Sequence, residues 1–180
     1  MSIILGLDLA ERTGICILEM QDHRLLWSET VRLATRDPQA RLLSLKDLLT
    51  GVIERFGSGE MAIEDVFLPA RTSPRTPISL GELRGVARLC AAEHKMPVFF
   101  YPPARMKLAI TGSGRAEKAD VIQLIEAEFG IKVSDDNQAD AIGIAYTHWL
   151  TNRLRNAVDS VAKPDYETLS HKIEKTARRA

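Results

Sequence analysis

IILGLDLAERTGICIL, residues 3–18, decides how the rest of the chain is read. Ile3, Ile4, Leu5 and Leu7 form an apolar run rich in strand formers, and Ile15, Ile17 and Leu18 form another. Between them Ala10, Glu11, Arg12, Thr13 and Gly14 make a short polar connection, with Gly14 available for an unusual backbone angle. The stretch predicts a strand, a tight turn and a second strand. Asp8 is out of place in it. A carboxylate ending an otherwise buried strand is costly unless it is paired, hydrogen-bonded or bound to a metal. A lone strand-end Asp is more often a turn or capping residue. Its meaning therefore depends on whether other elements bring carboxylates to meet it.

Working outward, residues 24–33 (RLLWSETVRL) predict a third strand that completes an antiparallel meander. Asp37 and Pro38 signal a helix start, and Leu42, Leu45, Leu48, Leu49, Val52, Ile53 and Phe56 follow at helical spacing before Gly57. Residues 61–68 (MAIEDVFL) predict the next strand, parallel to the first because a helix intervenes. Glu64 and Asp65 sit within it, although Glu is depleted in strands. PARTSPRTP, residues 69–77, has three prolines and reads as an exposed, mobile loop. A helix is expected over 78–94, with Leu80, Leu83, Val86, Ala87 and Cys90 inward and Gly81, Gly85 and Ala92 placed for close helix packing. A short strand (PVFFY, 97–101) ends at Pro102 and Pro103. TGSGRAEK, residues 111–118, opens a helix reaching Phe129; such a turn can offer backbone N–H groups to a phosphate, but it lacks the Gly-Lys-Ser/Thr ending of a nucleotide loop. The last helix is expected from about residue 134 to 154, and the polar remainder ends in a basic tail. The expected division is a folded domain over 1–154 and a loosely ordered tail over 155–180.

A length of 180 residues, with 45% hydrophobic and 27% charged residues, suits one soluble domain with a sizeable core. No apolar run approaches the roughly 18–20 residues of a membrane span, and no signal peptide is evident. Cys16 and Cys90 are too few for a disulfide framework, so a reduced, cytoplasmic setting is expected. The formal net charge is zero, yet residues 69–118 carry nine basic and three acidic side chains, a net +6. That segment is either a polyanion-binding face or a set of solvated helix faces.

Three elements each supply a carboxylate that is odd on its own: Asp8, Glu64 and, on the last helix, Asp140. Asp136, Asn137 and Asp140 stand at i, i+1 and i+4 there and share a face in the pairs 136/140 and 137/140. Clustered carboxylates bind hard divalent cations, and two such ions can activate water against a phosphodiester. Without a metal they repel, and one protonates.

The stretches ILGLDLAERTGICIL, AIEDVFLP, LGELRGVARLCAA, VFFYPPARMKLAITGSGRAEKADVIQLI and ADAIGIAYTH, covering roughly residues 2–150 in order, resemble the RuvC family of Holliday-junction resolvases in the ribonuclease H-like superfamily. The resemblance implies an α/β fold with a mixed five-stranded sheet, its first three strands antiparallel, flanked by helices. It implies hydrolysis of DNA phosphodiesters at four-way junctions by paired symmetric nicks, with two Mg²⁺ or Mn²⁺ ions per site. The family's four acidic residues fall on Asp8, Glu64, position 137 and Asp140. Position 137 is Asn, so either Asn137, through its carbonyl oxygen, or Asp136 completes the ligand set. Lys107 and Lys118 match basic residues near the scissile phosphate, and Phe67 matches an aromatic that stacks on a base. Arg71, Arg75 and Arg115 are further DNA-contact candidates from the basic segment. The expected partners are branched DNA and a second copy of the chain, with neither a membrane nor a nucleotide cofactor.

Two other readings compete. A non-cleaving protein that binds junctions would follow from a weakened metal site. A sugar-kinase or actin-like ATPase has a phosphate loop similar to GLDLAERTG, but needs two such domains and a longer chain.

Overall fold

The computed structural model describes residues 2–33, 37–65 and 75–162. Among these described residues, five strands and five helices follow in order: β1 (Ile3–Asp8), β2 (Arg12–Glu19), β3 (Leu25–Arg32), α1 (Pro38–Phe56), β4 (Glu60–Glu64), α2 (Arg75–Glu93), β5 (Val98–Tyr101), α3 (Pro103–Thr111), α4 (Lys118–Phe129) and α5 (Asp136–Ala162). One sheet has the order β3-β2-β1-β4-β5. β2 pairs antiparallel with β1 and β3, whereas β4 pairs parallel with β1 and β5. This is the mixed sheet, antiparallel in its first three strands, that the sequence led us to expect.

Alternation along β1 divides the core. Ile3, Leu5 and Leu7 join Ile15, Ile17, Met61 and Ile63 in one buried cluster with Leu45, Leu49 and Ile53 of α1 and Leu83, Ala87 and Cys90 of α2. The intervening residues turn to the opposite face, where α5 lies. The approach there is close. A β-carbon on Gly6 would stand 2.4 Å from the carbonyl oxygen of Ala141, and one on Gly14 would stand 1.8 Å from that of Asn137. The Cys16 thiol donates to the Ala141 carbonyl at 3.2 Å. Gly14 therefore lies within β2, not in the connection, and serves close contact rather than an unusual backbone angle. The connection is shorter than expected, because Arg12 and Thr13 already pair with β3.

α1 begins as anticipated, with the Asp37 side chain accepting the Gln39 N–H and Pro38 at the first helical position. α2 starts at Arg75, earlier than expected, and buries Leu83, Ala87, Cys90 and Ala91. Gly81 and Gly85 have nothing within 4 Å of a β-carbon, and Ala92 is exposed, so the expected close packing there is replaced by an outward face. α3 had no counterpart in the sequence reading. Pro103, at its first helical position, needs no hydrogen-bonded N–H there, and Gly112 ends the helix at φ 77. α5 continues to Ala162, past the expected end at 154.

The chain divides after Trp149. The first unit holds the sheet, α1 to α4 and the beginning of α5; the second opens with the last helical residues of α5. No helix among the described residues is long and apolar enough to cross a membrane.

Candidate active site

β1 and β4 run parallel, with Leu7 opposite Ile63, so Asp8 and Glu64 end adjacent strands at the same height. Both point to the α5 face. Gly6 and Gly14 let the first turns of α5 settle on that face, which brings Asp140 to the same place. Burial pushes the Asp8 carboxyl up to about 7, with the Asp140 charge adding to it. Glu64 is pushed up to about 8, by burial first and then by the charges of Asp8 and Asp140. A hydrogen bond links the two carboxyls, favouring ionised Asp8 and protonated Glu64. Asp140 is also raised, chiefly by burial, while Lys118 and Lys107 pull it down. Three carboxylates from three elements thus meet where none ionises freely. The donors are all oxygen, as a hard divalent cation requires. Among the described residues, no three His, Cys, Asp or Glu side chains stand close enough together to hold a metal ion as they are.

The start of α5 assigns separate tasks to neighbouring residues. Asp135 caps the helix through the Gln138 N–H at 3.1 Å, accepts from Thr30 at 2.6 Å and pairs with Arg12. Asp136 holds the Lys118 ammonium at 2.8 Å. That hydrogen bond is the main reason the Lys118 pKa is raised. Asn137 meets the sheet through its backbone, against Gly14.

Lys107 donates to the Ala116 carbonyl at 2.7 Å, tying α3 to the connection before α4. That connection satisfies much of itself. The Ser113 and Arg115 N–H groups donate to the Thr111 and Ser113 hydroxyls, the Ala116 N–H to the Ser113 carbonyl, and the Glu117 N–H to Asp120. The glycine-rich turn is therefore a folded cap rather than an open cradle of amides. Arg115 is exposed. Phe67 and Arg71 lie outside the described residues, and Arg75 is described only as the first residue of α2.

One feature escaped the sequence reading, and His148 proved to be the satisfied helix histidine that the sequence favours. A cavity of about 190 Å³ at the sheet's end is lined by Asp8, Leu9, Glu64, Asp65, Leu80, Arg84 and Pro103. His148, fully buried on α5, binds the Tyr101 hydroxyl at 2.7 Å through Nδ1 and Glu60 at 2.5 Å through Nε2. It is therefore a satisfied core histidine, as its type most often is. Tyr101 lies opposite Glu64 in the β4–β5 pairing, so His148 braces the strand beside the site.

The family model for crossover junction endodeoxyribonuclease RuvC matches residues 4–148. The protein of that name from Histophilus somni is 35% identical over 164 residues, which are 88% of this chain and 84% of the relative. The one from an Anaeromyxobacter species is 37% identical over 163 residues, 88% of this chain and 78% of the relative. Among solved structures, Thermus thermophilus RuvC in complex with Holliday junction substrate matches with a TM-score of 0.77 at 25% identity, covering 86% of this chain and 96% of that one. The matched span runs from β1 to His148 and so takes in all three carboxylates and both lysines. By sequence and by fold, this chain belongs to the crossover junction endodeoxyribonuclease RuvC family.

Proposed function

We propose that this protein is a metal-dependent DNA endonuclease that resolves four-way junctions by paired, symmetric nicks. The observation that carries the reading is the convergence of Asp8, Glu64 and Asp140, each pushed up by burial. Such a cluster suits Mg²⁺ or Mn²⁺, held by Asp8, Glu64 and Asp140 with Asp136 or Asn137 completing the set. With two such ions bound, the site would gain an activated water and stabilisation of the leaving oxygen. The chain's own residues bind and orient the DNA strand. Lys118 and Lys107 present cations to the scissile phosphate and favour its developing charge. Phe67, Arg71, Arg75 and Arg115 belong to this reading on sequence grounds, as DNA contacts. A four-way junction has two-fold symmetry, so two opposed nicks call for a homodimer. The folded domain is assigned to residues 1–154, with 155–180 as its basic tail, and the protein to the cytoplasm.

One observation favours a second reading. Asp136 is engaged by Lys118 and position 137 is uncharged, so the fourth ligand position lacks an uncommitted carboxylate. A weak metal site would leave a junction-binding protein without cleavage. Incubating a labelled synthetic four-way junction with Mg²⁺ and with Mn²⁺ decides between them, using wild type beside Asp8→Asn, Asn137→Ala and Asp136→Ala. Paired nicks absent in Asp8→Asn support the nuclease. Binding without nicks in either metal supports the second reading.

A further inference from the structure

Asp8 and Glu64 turn toward α5, on the opposite face of the sheet from α2. The guanidinium of Arg84, on α2, stacks 4.3 Å above the ring of Phe100, which packs against the core cluster beneath α1 and α2. The two faces meet in one place. The cavity lined by Asp8 and Glu64 is also lined by Asp65 and Arg84, so it wraps around the end of the sheet.

We infer that Arg84 binds a backbone phosphate of the strand lying across Asp8 and Glu64, gripping it from the face opposite Lys107 and Lys118. The inference rests on the nuclease reading above and adds a residue to its substrate-binding surface.

The side chain is set for this task before DNA arrives. Its Nη2 donates to the Asp65 carboxylate at 2.9 Å, the Phe100 ring supports its plane, and its side chain is only 22% exposed. Little rotamer freedom remains to be lost on binding. Asp65 is the guanidinium's one hydrogen-bond acceptor among the described residues. A guanidinium carries five N–H groups in a planar fork, and phosphate is an anion that matches that geometry. No Arg84 nitrogen is buried without a partner, and Arg84 lines the cavity. A cation tying α2 to the end of β4 alone would serve equally well away from the carboxylates; this one shares their cavity.

The test is binding of a fluorescent four-way junction in chelator, followed over a range of salt so that metal and cleavage do not enter. Arg84→Gln retains a hydrogen-bond donor for Asp65 but no charge. It should weaken binding about tenfold and flatten the plot of log K against log salt by about 0.9, one duplex phosphate contact. Arg84→Lys should keep the wild-type slope with a several-fold loss of affinity, because the charge remains and the fork is lost. Asp65→Asn breaks the ion pair and should leave the slope unchanged. Melting midpoints confirm that each variant is folded. A folded Arg84→Gln with the wild-type slope overturns the inference, as does an Asp65→Asn that reproduces the Arg84→Gln loss. Wild type that binds in chelator but never nicks once Mg²⁺ or Mn²⁺ is supplied removes the nuclease reading and leaves Arg84 to be judged by its slope. Wild type that does not bind the junction overturns both.

Discussion

The carbonyl oxygen of Asn137 occupies the space that a β-carbon on Gly14 would need, at 1.8 Å. Gly14 pairs with Asp8 across β1 and β2, so this one contact sets the height of α5 above the carboxylates. Gly14→Ala must lift the first turn of α5 and carry Asp140 away from Asp8. We expect a loss on the order of 2–4 kcal/mol, visible in urea unfolding, and a fall in junction cleavage larger than the stability loss explains. Gly85→Ala on the outward face of α2, where nothing lies within 4 Å, should instead gain about 0.5–1 kcal/mol through helix propensity. Equal losses at the two positions would contradict this account.

Asp8 and Glu64 titrate near 7 and 8 in the fold, well above their ordinary values. The folded protein thus binds protons that the unfolded chain has already released. Without divalent cations, stability should fall as pH rises from about 4 to about 8, and level off beyond. Glu64→Gln should then exceed wild type by about 1–2 kcal/mol at the upper end of that range, with the gain vanishing near the lower. Adding Mg²⁺ should raise the wild-type melting temperature most at high pH, and that of Glu64→Gln little. Thermal melts across this range, with chelator and with Mg²⁺, check both signs.

Lys118 and Asp136 form an exposed ion pair, with side chains 65% and 50% accessible. Such pairs contribute about 0–1 kcal/mol to folding. Lys118→Ala should hardly move the melting midpoint, yet slow single-turnover cleavage at least about tenfold if the ammonium meets the scissile phosphate. A melting shift of many degrees with unaltered cleavage would assign Lys118 to the scaffold alone.

Tyr101→Phe removes the hydroxyl that meets His148 Nδ1 in the interior. A buried group deprived of a partner costs about 1–3 kcal/mol, so the variant should unfold at correspondingly lower urea. Because Tyr101 pairs with Glu64, a modest slowing of cleavage should accompany the loss.

How much of this was legible in the sequence follows from the range of each interaction. Asp8, Glu64 and Asp140 stood out because a charge amid strand or helix apolar residues is a local contradiction. The sheet was legible for the same reason: alternation and helical spacing are written within one element. Gly14 and Gly85 could not be told apart, since a glycine's reason for being there lies in what sits across from it. One faces Asn137 and the other faces solvent. The partners of Lys107, His148 and Arg84 lie across turns or on other elements, and no spacing within a helix announces them. α3 was overlooked because two prolines read as an end to order, when the second of them was its beginning.

β1 occupies the middle of the sheet, hydrogen-bonded along both edges and buried at all six residues. Its amides should exchange with deuterium only when the whole domain opens, whereas those of exposed Gly112 and Glu117, between α3 and α4, should exchange early. Asp8 is thus anchored to the central strand of the sheet, whereas Lys118 stands on an exposed helix start. An ion demands oxygen positions that do not drift, while a branched polyelectrolyte arrives in many shapes. A buried central strand suits the first demand, and an exposed lysine the second.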